Sequence, residues 1–148
     1  MIVSELMTRD VELVRPHDTL QHAAKIMARI DAGILPVADE DRLIGMITDR
    51  DIAIRAVAEG KDPARTLVQE IMSAEVRYCF DDEDALDVAD NMGELQLRRL
   101  PVLSREKRLV GILSLADLAR ENGPRDAGEA LQGISRPGGL HTQTSPDA

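Results

Sequence analysis

The chain repeats itself, and this limits its fold more than any other feature. Val3-Ser4-Glu5-Leu6-Met7-Thr8 matches Val68-Gln69-Glu70-Ile71-Met72-Ser73, a step of 65 residues. Ala24-x-x-Met27 matches Ala89-x-x-Met92, and Leu35-Pro36-Val37 matches Leu100-Pro101-Val102, at the same step. After one extra loop residue the step becomes 66: Arg42-Leu43-Ile44-Gly45 matches Arg108-Leu109-Val110-Gly111, and Asp51-Ile52-Ala53 matches Asp117-Leu118-Ala119. Blocks that recur in one order with a single slip mark an internal duplication.

Each copy predicts a βαββα unit. In the first, Leu20, Ala23, Ala24, Met27 and Ile30 fall at helical spacing, so residues 19–31 read as an amphipathic helix capped by Thr19 and ended by Gly33. Ile34-Leu35-Pro36-Val37 reads as a short strand. Pro36 lacks a donor, which places it at a strand start, edge or bulge. The acidic turn Ala38-Asp39-Glu40-Asp41 leads to Leu43-Ile44-Gly45-Met46-Ile47, an apolar run suited to a buried strand. A second helix runs from Asp49 to about Glu59 and stops at Gly60. The second copy predicts a helix over 84–97, strands near 100–103 and 108–113, and a helix over 115–122. A strand over 75–80 is expected to pair with 11–15.

A copy of about 60 residues is too small to bury much of its surface alone. The expectation is a mixed α/β, more strictly α+β, fold in which both repeats pack with pseudo-two-fold symmetry. The organisation reads as repeat 1 over 1–62, repeat 2 over 63–123, and a tail over 124–148. In the tail, residues 125–134 suggest a short helix through Ala127, Ala130, Leu131 and Ile134. The Pro/Gly/Ser/Thr-rich remainder from Arg136 has little to bury and reads as disordered.

Charge and composition exclude several functions. The net charge is −9, which repels a phosphate backbone and an anionic membrane surface, since both recruit clustered Lys and Arg. Tyr78 and Phe80 are the only aromatic residues, too few for a platform that stacks bases. No apolar run is long enough to span a bilayer. Cys79 is the single cysteine; with no basic, apolar leader at the N-terminus, it predicts a reducing, cytoplasmic setting. Within Val76-Arg77-Tyr78-Cys79-Phe80 it reads as a packed thiol rather than a nucleophile. His17, His22 and His141 have no ligand partners at metal spacing, and no Walker loop, Gly-x-Ser-x-Gly or His-Glu-x-x-His occurs. These observations predict no catalysis and no metal.

Both copies carry one further pattern at a strand-to-helix junction: Gly45-Met46-Ile47-Thr48-Asp49-Arg50-Asp51 and Gly111-Ile112-Leu113-Ser114-Leu115-Ala116-Asp117. Free N–H groups and the dipole at a helix start favour a phosphate. Thr48 or Ser114 can cap the helix or touch a ligand, and Asp51 or Asp117 can accept from both hydroxyls of a ribose. The same residues also read as a capping box, which needs no ligand. Duplication copies either role, so the pattern alone leaves both open.

Taken together, Leu-Pro-Val, the acidic turn, Leu43-Ile44-Gly45-Met46-Ile47-Thr48-Asp49-Arg50-Asp51-Ile52-Ala53 and its weaker second version resemble the CBS domain family over about residues 2–122. Val3–Thr8 and Val68–Ser73 look like the lead-in helices of its two repeats. The resemblance implies a tandem pair, or Bateman module, with clefts between the repeats, and a regulatory role sensed there. It implies AMP, ADP, ATP or another adenosyl compound as ligand, no required cofactor, a homodimer, and an unidentified protein partner for signalling. By the same resemblance Asp51 and Asp117 match the ribose-binding Asp, and Thr48 and Ser114 the hydroxyl position. Gly33, Ile34, Leu35 and Pro36, and Arg98, Arg99, Leu100 and Pro101, would flank base or phosphate. Arg50, Arg98 and Arg99 are the candidate cations. The alternative is a ligand-free structural or dimerisation module.

Overall fold

The computed structural model describes residues 1–122 and 124–135. The elements follow the duplication. In repeat 1 they are α1 (Val3–Leu6), α2 (Leu20–Ile30), β1 (Ile34–Asp39), β2 (Arg42–Thr48) and α3 (Asp49–Asp51), which runs on into a π-helical segment, Ile52–Val57. In repeat 2 they are α4 (Val68–Ile71), β3 (Cys79–Phe80), α5 (Ala85–Leu95), β4 (Arg99–Leu103), β5 (Leu109–Ser114) and α6 (Leu115–Asn122), followed by α7 (Pro124–Ile134). The chain forms two compact units, and these cut across the sequential repeats. One holds Met1–Val11 with Arg77–Glu106 and the described residues from Val110; the other holds Glu12–Val76 with Lys107–Leu109. Each unit thus takes its lead-in helix from the opposite repeat.

In the unit built on repeat 1, Thr19 caps α2 by accepting from the N–H of His22 at 3.1 Å. The helix ends at Asp31 rather than at Gly33, because Asp31 itself takes the left-handed conformation, φ 54°, and its N–H bonds to Met27. Leu20, Ala23, Ile26 and Met27 are buried. Ala24 and Ile30, assigned to the core face by spacing, are exposed; Ile26 takes that place. β1 and β2 form an antiparallel hairpin with Ile34 opposite Thr48 and a bulge after Val37. Its acidic turn is tight because Glu40 and Asp41 both have positive φ, 49° and 68°. Val14 bridges to β1, donating to Pro36 at 3.0 Å and accepting from Ala38 at 3.0 Å. The donor that Pro36 lacks faces this side, where pairing is a single bridge, so proline is tolerated. On the other edge of β2, Met46 and Ser73 exchange two backbone hydrogen bonds of 2.9 Å. After α3 the ladder loosens to i→i−5 bonds, Ala58 to Ala53 and Lys61 to Ala56, each 2.9 Å. The predicted helix over 49–59 is therefore partly π-helical, and Gly60 follows it at φ 74°.

The unit built on repeat 2 uses the same plan. Its sheet has the order β3-β4-β5, and Thr8 exchanges two 2.9 Å bonds with Ile112 of β5. Leu100, Val102, Leu113 and Leu118 pack with Val3, Leu6, Val88 and Met92 in one buried cluster. The expected pairing of 75–80 with 11–15 does not occur. Only Cys79–Phe80 is strand, and it pairs in parallel with Val102 and Leu103. The reason is the βαβ connection: α5 carries the chain from β3 back alongside β4, and parallel neighbours need such a crossover. Val14 relates to Val37 through α2 in the same way.

The expected tail helix forms as α7, and it lies against α5 at a small-residue crossing. A Cβ on Gly93 would stand 3.2 Å from Ala130 Cα, and one on Gly133 would stand 2.6 Å from the carbonyl oxygen of Gly93. Gln96 Nε2 also donates to the Gly133 and Ile134 carbonyls at 3.3 and 3.4 Å. Ala130 is buried, whereas Leu131 is exposed. The remainder of the tail, from Arg136, lies outside the described residues.

Cys79 is buried. Burial pushes its thiol up to about 12 from 9.0, and the Glu83 and Asp81 carboxylates add to this. Folding therefore favours the neutral thiol. That contribution is complete below about pH 9 and is lost as pH rises towards 12. With no thiolate, dithionitrobenzoate at about pH 8 will label Cys79 only as the protein unfolds. Stoichiometric labelling of the native protein within seconds would contradict this environment.

Among the described residues no helix is long and apolar enough to cross a membrane.

Candidate functional site

Both junction motifs fold into capping boxes. In repeat 1, Asp51 N–H donates to Thr48 Oγ1 and Thr48 N–H donates to Asp51 Oδ2, each at 3.0 Å. In repeat 2, Asp117 N–H donates to Ser114 Oγ at 3.2 Å and Ser114 N–H to Asp117 Oδ2 at 3.0 Å. The extended backbone at Thr48 (φ −114°, ψ 160°) lets β2 pass straight into helix while the hydroxyl turns back on the first turn. A capping box uses only one carboxylate oxygen. The other, Oδ1, remains for a second contact, so capping and ligand binding are compatible.

The other predicted residues gather at the same end of each hairpin. Ile34 sits opposite Thr48, and the Gly33 carbonyl accepts from Asp49 N–H at 2.9 Å. A Cβ on Gly33 would meet Asp49 Oδ2 at 2.8 Å, so glycine here lets the Asp49 carboxylate lie against the backbone. In repeat 2 the Arg98 carbonyl accepts from Leu115 N–H at 3.1 Å. Leu35, Pro36, Leu100 and Pro101 are buried; they can offer a ligand backbone but not side chains. Arg50, Arg98 and Arg99 are exposed.

Two residues that the motif comparison overlooked set the electrostatics. In repeat 2, Arg120 donates to Asp117 Oδ1, and the Asp117 side chain is only 5% exposed. In repeat 1 the corresponding cation is Arg55, one position later. Its Nε lies 4.0 Å from Asp51 Oδ1, and the Asp51 side chain is 20% exposed. Arg55 is drawn away because its Nη1 donates to the Ile71 carbonyl at 3.2 Å. Arg three or four residues after Asp on a helix was a readable pairing signal; which of them closes on its Asp was not. Among the described residues no three His, Cys, Asp or Glu side chains gather as a metal site, and no buried side-chain N or O atom lacks a partner.

The chain and its fold are similar to known proteins. The CBS domain family matches twice, over residues 3–57 and 68–122. The CBS domain-containing protein YhcV of Bacillus subtilis is 40% identical over 134 residues, covering 90% of this chain and 94% of that protein. Hypoxic response protein 1 of Mycobacterium tuberculosis is 42% identical over 117 residues, covering 78% of this chain and 81% of that protein. Among solved structures, Hypoxic Response Protein I with two coordinated zinc ions superposes with a TM-score of 0.75 at 39% identity, covering 82% of this chain and 98% of its own. The CBS domain pair of protein MJ0100, in complex with 5′-methylthioadenosine and S-adenosyl-L-methionine, superposes with a TM-score of 0.68 at 30% identity, covering 83% and 96%. The two matched repeats, each closed by a lead-in helix and a Gly-to-Asp junction, place this chain in the CBS domain family as a tandem pair.

Proposed function

We propose that the protein is a regulatory module, not an enzyme, that binds an adenine nucleotide or another adenosyl compound and passes the signal to a partner protein. The observation that carries this reading is the Asp51 carboxylate. One oxygen holds the helix start, while the other faces a partly open junction with only a 4.0 Å cation contact. A ribose diol supplies the donors that such an oxygen accepts. The likeness to a CBS pair crystallised with two adenosyl ligands supports the same chemistry. Arg50, exposed and one residue before Asp51, is the candidate cation for a 5′ phosphate. A signal requires that the ligand bind two conformations unequally.

One observation favours the ligand-free reading: both capping boxes are complete within the chain itself. Thermal unfolding with AMP, ATP, 5′-methylthioadenosine and S-adenosyl-L-methionine separates the two. A ligand at about a hundred times its Kd stabilises the native state by about 2.7 kcal/mol, which corresponds to a Tm rise of roughly 5–10 °C for a chain of this size. If none of these compounds moves Tm, the sensing role falls and a structural or dimerisation role stands in its place.

A further inference from the structure

The two junctions share a sequence pattern but not a free acceptor. We infer that only repeat 1 takes the adenosyl ligand, one molecule per chain, and that the junction of repeat 2 is held shut by Arg120. This rests on the reading above and assigns its stoichiometry. Asp117 Oδ2 is bonded to Ser114 N–H and Oδ1 to the Arg120 guanidinium, and the side chain is almost fully buried. A ribose arriving there must displace a charge-assisted hydrogen bond, the stronger kind. At Asp51 there is no such bond to displace, because Arg55 is engaged by the Ile71 carbonyl and stands 4.0 Å off. The counter-charge is shifted by one residue between the copies: Ile54 occupies the position of Arg120, and Glu121 that of Arg55. Arg98 and Arg99 give repeat 2 exposed positive charge, so a phosphate alone could be attracted to it. The ribose contact is therefore best isolated with a ligand that has no phosphate.

The test is calorimetric titration of the full chain with 5′-methylthioadenosine and, separately, AMP. One site per chain is expected with either probe. Asp51→Asn keeps a carbonyl for the Thr48 N–H but replaces the second acceptor with a donor. It is expected to weaken binding roughly tenfold or more, while Asp117→Asn leaves the Kd within about twofold, as losing one charged hydrogen bond at the occupied site alone requires. Two equivalent sites, or loss of binding in Asp117→Asn with retention in Asp51→Asn, would overturn the inference and leave ligand sensing intact. No heat with either probe removes the ligand-sensing reading itself, and the inference with it. Should Asp117→Asn unfold, Arg120→Gln replaces it. An unchanged first site beside a new, weaker second one supports the lock; an unchanged single site shows that Arg120 does not hold the second junction shut and refutes the lock, and a single site that tightens places the ligand at Asp117 and refutes it too.

Discussion

Leu113→Ala will lower Tm by roughly 5–15 °C, because truncating a fully buried Leu costs about 2–5 kcal/mol and a chain of this size loses about 2–4 °C per kcal/mol. Leu113 has no exposed surface and lies where β5, α1 and α5 share one apolar cluster. The cost within that range depends on how far the neighbouring side chains of the cluster, Val3, Leu100 and Val102 among them, can close over the cavity left there. Natural domains hold only about 5–15 kcal/mol in reserve, so one such cavity removes a large share. Ile47 is its counterpart in repeat 1, equally buried, and Ile47→Ala is expected to behave alike. Leu131→Ala is the control: that side chain is 47% exposed, and its loss should stay within about 0.5 kcal/mol. If chemical denaturation finds Leu113→Ala no worse than Leu131→Ala, the cluster is not the core described here.

The second large effect is expected at a residue with no side chain. Gly111→Val places a Cβ 2.5 Å from Met7 Sδ and 3.0 Å from the Thr8 carbonyl oxygen. The methionine can swing aside, but the carbonyl cannot, since Thr8 and Ile112 are tied by two backbone bonds. The strand must part from the lead-in segment or distort, and overpacking of this kind costs about 1–3 kcal/mol or more. The lost bridge gives a local signature as well: the Thr8 and Ile112 amides should exchange with solvent far faster than in the parent protein. Gly45→Val makes the same collision with Met72 and the Ser73 carbonyl, and should release the Met46 and Ser73 amides. Gly128→Ala is the contrast. It has open space around it in a helix, so it should stabilise by up to about 1 kcal/mol. Unchanged protection of Thr8 in Gly111→Val would refute the account of why glycine stands there.

Much of this was legible in the residues. The period of apolar positions located α2, α5 and the paired strands, because burying one face requires that spacing whatever the partner. Thr48-x-x-Asp51 and Ser114-x-x-Asp117 announced their capping boxes, since both bonds close within one helical turn. The errors fell where an outcome depended on residues distant in the chain. Residues 75–80 look like a strand throughout, yet only Cys79–Phe80 find a partner, Val102 and Leu103. Gly33 looked like a helix stop, but Asp31 takes that role and Gly33 makes room for Asp49.

The sequence by itself determined the duplication, the apolar period of α2 and α5 though not each residue on the buried face, and the local hydrogen bonds at each strand-to-helix junction. These depend on contacts within a few residues, and the pattern of side chains encodes them directly. Only the tertiary structure decided that each lead-in helix completes the unit of the opposite repeat, and so why Gly45 and Gly111 recur where they do. It also decided which aspartate keeps an available oxygen. A salt bridge in one junction and its near-absence in the other follow from where one arginine finds its best acceptor. For Arg55 that acceptor is the carbonyl of Ile71, sixteen residues away and brought close only by folding.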